Sequence, residues 1–149
     1  MELKNFKIEE FDSKTLPGTG GRMRVSTLLK IDKARDLYGE PIIIRHAIRL
    51  DTDEKRIMAN HPGAVKNSSH KHGWAVDCAP ANIELGDEWE DWRKFLDALW
   101  SAGFRRFGIM RNTVHVDDDP ARKTVAIWNY VTTRPVIYDR CLTWFKGKL

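Results

Sequence analysis

The sequence predicts an α+β domain, a small and mostly antiparallel sheet flanked by helices. Two segments carry apolar residues at helical spacing, and several short β-branched runs lie between tight turns. No strand leads into the glycine-rich turn and helix of a dinucleotide-binding fold. The chain of 149 residues suits a single domain, 1–149, with one real core. Its 42% hydrophobic and 31% charged content is that of a folded globular protein, which excludes a disordered or low-complexity one.

The elements follow in order. Residues 6–13 alternate enough for a short strand or an ordered arm, and 16–21, with Pro17 and three glycines, read as a loop. Over 22–38, Val25, Leu28, Leu29, Ile31 and Leu37 suit a helix packed on one side; Gly39 stops it and Pro41 prevents its resumption. Residues 41–46, with three successive isoleucines, read as a strand. Residues 50–73 contain charges, Pro62, Gly63 and Asn67 without a sustained period. A long irregular loop of that kind in a compact domain is more often functional than accidental. Residues 74–79 form a short strand. Over 87–100, Asp87 can cap a helix, Glu90 sits three residues on, and Trp89, Trp92, Leu96, Leu99 and Trp100 line one face, with Gly103 as the stop. Residues 105–110 and 113–117 are close enough for a strand hairpin. Asp118, Asp119 and Pro120 read as a solvated acidic turn and 124–131 as a further strand, while 132–149 is ambiguous.

The bulk charge narrows the partners only slightly. A net charge of +4 and a pI near 9.1 favour an anionic partner, whether nucleic acid or a bacterial wall. The basic residues are scattered, with neither the clustered helix nor the aromatic ladder of a nucleic-acid binder, so no nucleic-acid partner is expected. No apolar run is long enough to cross a membrane, and the opening residues lack the apolar stretch of a signal peptide. Synthesis in the cytoplasm and a monomeric state are the expectations. Cys78 and Cys141 make no disulfide scaffold and read as buried thiols.

Chemistry concentrates in two short stretches. Asp77 shares a strand face with Ala75 and Ala79, whose small side chains leave room above it. In the run Val114, His115, Val116, Asp117 the valines should point at the core and His115 and Asp117 away from it. If the two strands pair, an imidazole and a carboxylate meet on one face, and the loop can bring His70 over them. Two histidines and one aspartate with a fourth position open make a reasonable catalytic zinc site, where the ion polarises a carbonyl and lowers the pKa of a water. His72, just before Gly73, reads as a substrate contact or a solvated side chain, and His46 and His61 as structural or solvated. Trp74 is either a wall of the cleft or core packing.

The motif Ser68-x-His70-x-x-Gly73-x-Ala75-x-Asp77, followed by His115-x-Asp117, resembles the zinc D-alanyl-D-alanine carboxypeptidase family. The superfamily of that family also holds lysostaphin-type enzymes and the hedgehog signalling domain. The order of elements over roughly 6–130 is similar to its phage and prophage members. The resemblance implies a peptidase acting on peptidoglycan peptides, with one zinc ion held by His70, Asp77 and His115. It places Ser68 behind the ligand loop and Arg49 toward substrate, where a guanidinium pairs with a carboxylate; on the residues alone Arg49 is equally a surface charge. Two positions depart from the family pattern. His46, Ala47 and Ile48 replace the Ser-Gly-Tyr that usually precedes the arginine. Asn112 and Thr113 occupy the places where relatives carry a general base. Asp117 is the remaining candidate for the catalytic base, or it orients a ligand. The rival reading is an inactive, metal-stabilised binding module of the same fold.

Overall fold

The computed structural model describes residues 2–53, 68–130 and 133–149. Strands β1 (Ile42–His46), β2 (Ala75–Pro80), β3 (Arg106–Ile109), β4 (Val114–Asp117) and β5 (Ala126–Asn129) form one sheet in the order β1-β2-β4-β3-β5. The first three pairings across the sheet are antiparallel, and β5 joins β3 in parallel. The expected α+β class with a mostly antiparallel sheet is what the chain forms. Among the described residues no helix is long and apolar enough to cross a membrane.

Alternation along the strands sorts the two faces. Val76 and Cys78 of β2, Phe107 and Ile109 of β3, and Val114 and Val116 of β4 are fully buried on one side. Helices α1 (Val25–Tyr38), α2 (Trp89–Ser101) and α3 (Pro135–Lys148) supply the residues that meet them: Leu28 and Ile31, then Trp92, Phe95, Leu96 and Leu99, then Ile137, Cys141 and Phe145. The opposite face carries Asp77 and His115, and there the polar chemistry gathers. Both cysteines are free and buried, as expected, and burial pushes the Cys141 thiol up to about 12.

Several expectations are corrected by packing. Residues 6–13 form no sheet strand: Ile8–Phe11 is a single 3-10 turn, with Phe11 fully buried in the core and the Glu10 carboxylate accepting from the Lys7 amide. The loop at 16–21 tightens into a second such turn, Thr19–Arg22, because Asp12 accepts hydrogen bonds from the amides of Gly18 and Gly20. In α1 the buried stripe is Thr27, Leu28, Ile31 and Ala34, while Val25, Leu29 and Leu37 are about half exposed; helical phase puts them off the core side. Asp87 does not cap α2, whose N-cap is Glu88 with no side-chain bond; the Asp87 carboxylate accepts from Arg134 instead, at 2.9 Å. The ambiguous tail is mostly helical: Pro135 occupies its first turn, and Ile137, Cys141 and Phe145 recur every four residues on its buried side. Of the long irregular loop, residues 54–67, with His61, Pro62, Gly63 and Asn67, lie outside the described residues, as does Val131 at the end of the expected last strand.

Candidate metal centre

The centre begins as a row across the sheet. Asp77 of β2 is the register partner of His115 of β4, His115 that of Gly108 of β3, and Gly108 that of Trp128 of β5. Register partners stand side by side on one face, so strand pairing alone puts the carboxylate against the imidazole. The third group arrives from a single 3-10 turn, Ser69–His72. Ser68 caps that turn by accepting from the His70 amide at 3.1 Å. Gly73 closes it at φ 81°, the left-handed region, with the Arg22 carbonyl so near that a Cβ would stand 2.5 Å from it.

Three ligand atoms converge. His70 Nε2 lies 3.0 Å from Asp77 Oδ1 and 3.1 Å from His115 Nδ1, and His115 Nδ1 lies 2.9 Å from Asp77 Oδ1. All three side chains are buried, and they form the group that could hold a metal ion among the described residues. The outer partners set the tautomers. His70 Nδ1 donates to the Ala47 carbonyl at 2.8 Å, and His115 Nε2 donates to Asp117 Oδ2 at 2.9 Å. With those protons pointing outward, His70 Nε2, Asp77 Oδ1 and the Nδ1 of a neutral His115 all offer lone pairs to one point, an arrangement that suits a cation, whether a metal ion or a proton. Ligands about 2.0–2.1 Å from a tetrahedral ion stand about 3.3 Å apart, so the observed triangle needs only a few tenths of an ångström of expansion. The donor set fits a metal.

The electrostatics agree. Burial draws the His70 imidazole down to about 4, more than the neighbouring Asp77 charge restores, so it is neutral and ready to donate its lone pair. Burial also works against a proton on His115, but the hydrogen bonds to Asp117 and Asp77 and their charges outweigh it and raise the group to about 8. Metal-free, the gap is closed by a proton. Asp77 is held well below the carboxylate range despite burial, by the two histidines.

A family model described as Peptidase M15 matches residues 4–117, well over half of the chain, and its last matched residue is Asp117 beside the last ligand. The chain belongs to the peptidase M15 family. This M15 chain is therefore read as a metallopeptidase whose His70, Asp77 and His115 could hold the metal. No curated protein matches it.

The other residues singled out in this M15 sequence fall at different distances from the centre. Asp117 is 2% exposed, and its carboxylate is shared between His115 Nε2 and Arg106 Nε, the latter at 2.9 Å. Of its two possible roles, this geometry suits orientation of a ligand. Arg49 is turned toward Asp77, with Nη2 3.2 Å from Oδ2, so it compensates a ligand's charge. His72 is exposed, and its carbonyl accepts from Arg24 Nε. Trp74 is half-buried outside the hydrophobic core, with the Arg24 guanidinium 5.1 Å above its ring.

Four features were not foreseen. Asp119 is buried, and its carboxylate accepts from Ser69 Oγ at 2.9 Å, tying the end of β4 to the ligand turn. Asp118 accepts from Ser26 and Thr27 and pairs with Lys30 at 2.9 Å, so it anchors the start of α1. The acidic turn is thus an interior tie, which corrects its reading as solvated. Trp128 packs 5.5 Å from the His115 ring with Arg106 over its other neighbourhood at 5.2 Å. Tyr130 stands beside it, its phenol raised by burial and then by the Asp77 charge, so it keeps its proton and can donate it in a hydrogen bond. Both rings reach the centre because Gly108 has no side chain: a Cβ there would lie 2.7 Å from Tyr130 and 2.9 Å from Trp128. The alternation of Ile127 and Trp128 in β5 was the available signal.

Proposed function

We propose that this chain is a zinc-dependent peptidase that hydrolyses stem or cross-link peptides of peptidoglycan, as a D-alanine-type carboxypeptidase or endopeptidase. The observation that carries the reading is the convergence of His70 Nε2, Asp77 Oδ1 and His115 Nδ1 with their other polar atoms already engaged. Zinc bound there supplies a Lewis acid that polarises the scissile carbonyl and lowers the pKa of a water. The chain's own residues prepare that chemistry. Asp117 holds the His115 tautomer, Ala47 holds that of His70, and Arg49 balances the Asp77 carboxylate. Ser68 fixes the ligand turn, and His72 and Trp74 serve as substrate contacts. The neutral Tyr130 phenol is placed to donate a hydrogen bond near the reacting carbonyl. The protein acts as a monomer on the wall, in the manner of a phage lysis enzyme released by a separate pore.

One observation favours the rival binding module: Asn112 and Thr113 carry no ionisable group, and the Asp117 carboxylate is committed to His115 and Arg106. The test is incubation of the purified protein with muropeptides of several wall chemistries, with zinc and then with chelator, with products read by mass. Metal-dependent fragments are expected, and their masses name the bond. A protein that holds one zinc and cuts no wall is a binding module.

A further inference from the structure

The face that carries the metal centre has an aromatic wall, built from β5. Trp128 is the register partner of Gly108, itself the partner of His115, and Tyr130 lies two residues on, so both rings stand on the His115 side of the sheet. Gly108 admits them, because a Cβ there would be 2.7 Å from Tyr130 Cε2 and 2.9 Å from the Trp128 indole nitrogen. The Tyr130 backbone is pinned. Its amide donates to the Ile109 carbonyl and to Thr133 Oγ1, each at 3.0 Å, and its carbonyl accepts from the Thr133 amide at 3.0 Å. Thr133 Oγ1 in turn donates to the Ile109 carbonyl, which closes the clasp. The ring is half-buried, and its oxygen accepts from the Trp128 indole N–H. Among the described residues the hydroxyl gives its own proton to no protein group. Burial raises the phenol most, and the charges that act on it, Asp77 and then Arg49 and Asp117, are those of the metal centre. A fixed phenol with an unspent O–H beside a hydrolytic centre is a donor that needs no reorganisation to act.

We infer that Tyr130 is a further catalytic residue: its hydroxyl donates a hydrogen bond to the scissile carbonyl oxygen as that oxygen takes on negative charge. The inference deepens the peptidase reading and rests on it. No proton leaves the phenol and no bond of the side chain breaks; the O–H···O contact strengthens as charge develops and relaxes when the carbonyl re-forms. A donor fixed in advance stabilises the developing charge more than the neutral carbonyl, so it lowers the barrier and leaves substrate binding nearly unchanged. Trp128 is the positioning residue, because its indole N–H occupies the phenol oxygen and leaves the O–H to turn toward substrate. Both rings lie beyond residues 4–117, so this donor comes from outside the span that the family model matches.

The test uses the full zinc-loaded chain, a muropeptide that the wild type cuts, and a phosphinate analogue of the bond it cuts, whose tetrahedral anionic group mimics the charge at the reacting carbonyl. In Tyr130→Phe, which keeps the ring, kcat should fall roughly a hundredfold with KM little changed. Affinity for the phosphinate should fall by a similar factor while affinity for the product peptide stays. Zinc affinity, read by competition with a chromophoric chelator, should be unchanged, which separates a donor from a support of His115. Trp128→Phe should give a smaller loss with the same split between phosphinate and product. Gly108→Ala should displace both rings, and should therefore cost less kcat in the Tyr130→Phe background than in the wild type. A Tyr130→Phe variant with wild-type kcat and phosphinate affinity, or one whose loss merely follows weaker zinc binding, overturns the proposal and leaves the peptidase reading standing. A wild type that cuts no muropeptide brings down the peptidase reading, and the role of Tyr130 with it.

Discussion

Each imidazole of the centre makes a different bond on its outer side, and the two therefore titrate in opposite directions. His70, held near 4, lies below the ordinary histidine value of 6.5, so its contribution to metal-free stability is present above about pH 6.5 and lost as pH falls toward 4. His115, raised to about 8, contributes fully below about pH 6.5 and loses that contribution as pH rises through about 8. Thermal unfolding in the presence of chelator should therefore peak near about pH 6.5, with a lower Tm on both sides; a monotonic profile would show that these two groups do not dominate. Asp117 should matter through His115. Asp117→Asn keeps an acceptor for Nε2 but removes the charge behind the ligand, and should weaken zinc binding by roughly tenfold to a hundredfold. Competition with a chromophoric chelator measures this, and the melting point of the metal-free variant separates weaker binding from unfolding.

At the scale of elements, the ligand turn is held at both ends. Ser68 caps it, Ser69 bonds to Asp119 from the end of β4, and Gly73 closes it against the backbone at Arg22. Gly73→Ala combines a left-handed φ of 81° with a 2.5 Å approach to a carbonyl. Gly18→Ala, at φ 85° with nothing within 4 Å, bears the conformational cost alone. That cost is about 1–2 kcal/mol, so Gly18→Ala should lower stability by about that much and leave zinc binding intact. Gly73→Ala should lose more stability and zinc affinity together, as denaturation and metal titration of the pair would show. Equal behaviour of the two variants would mean the turn tolerates displacement.

For the whole molecule, the sheet divides labour between its faces. One side is packed by α1, α2 and α3, and the other gathers His70, Asp77 and His115, which could hold a metal ion. Metal should then act as a structural ligand as well as a reagent. A ligand that binds only the native state at a thousand times its Kd adds about 4 kcal/mol, so zinc should raise Tm by several degrees and chelator should reverse the gain. The triple variant His70→Ala, Asp77→Ala, His115→Ala should show no zinc-dependent shift in the same calorimetric scan.

Much of this was legible in residues 68–77 and 113–117. A strand's two-residue period fixed which side chains share a face, and the spacing of Ser68, His70, Gly73 and Asp77 marked a turn entering a strand. Helix α2 announced itself through its wide apolar face, though not its cap, because Asp87 found a stronger partner in Arg134, 47 residues away. The α+β class and the candidacy of His70, Asp77 and His115 as a group that could hold a metal are local-pattern readings of this kind. What the sequence could not decide depends on partners distant along the chain. Asp118 and Asp119 look like a solvated turn until Ser26, Lys30 and Ser69 are folded against them. Nothing near Arg49 in the sequence shows that Asp77 stands 3.2 Å from it, and Trp128 and Tyr130 join the site only because Gly108 leaves them space. Local periodicity is set by the backbone and can be read from a window of residues, whereas charge pairing and close approach are set by which segments the core brings together.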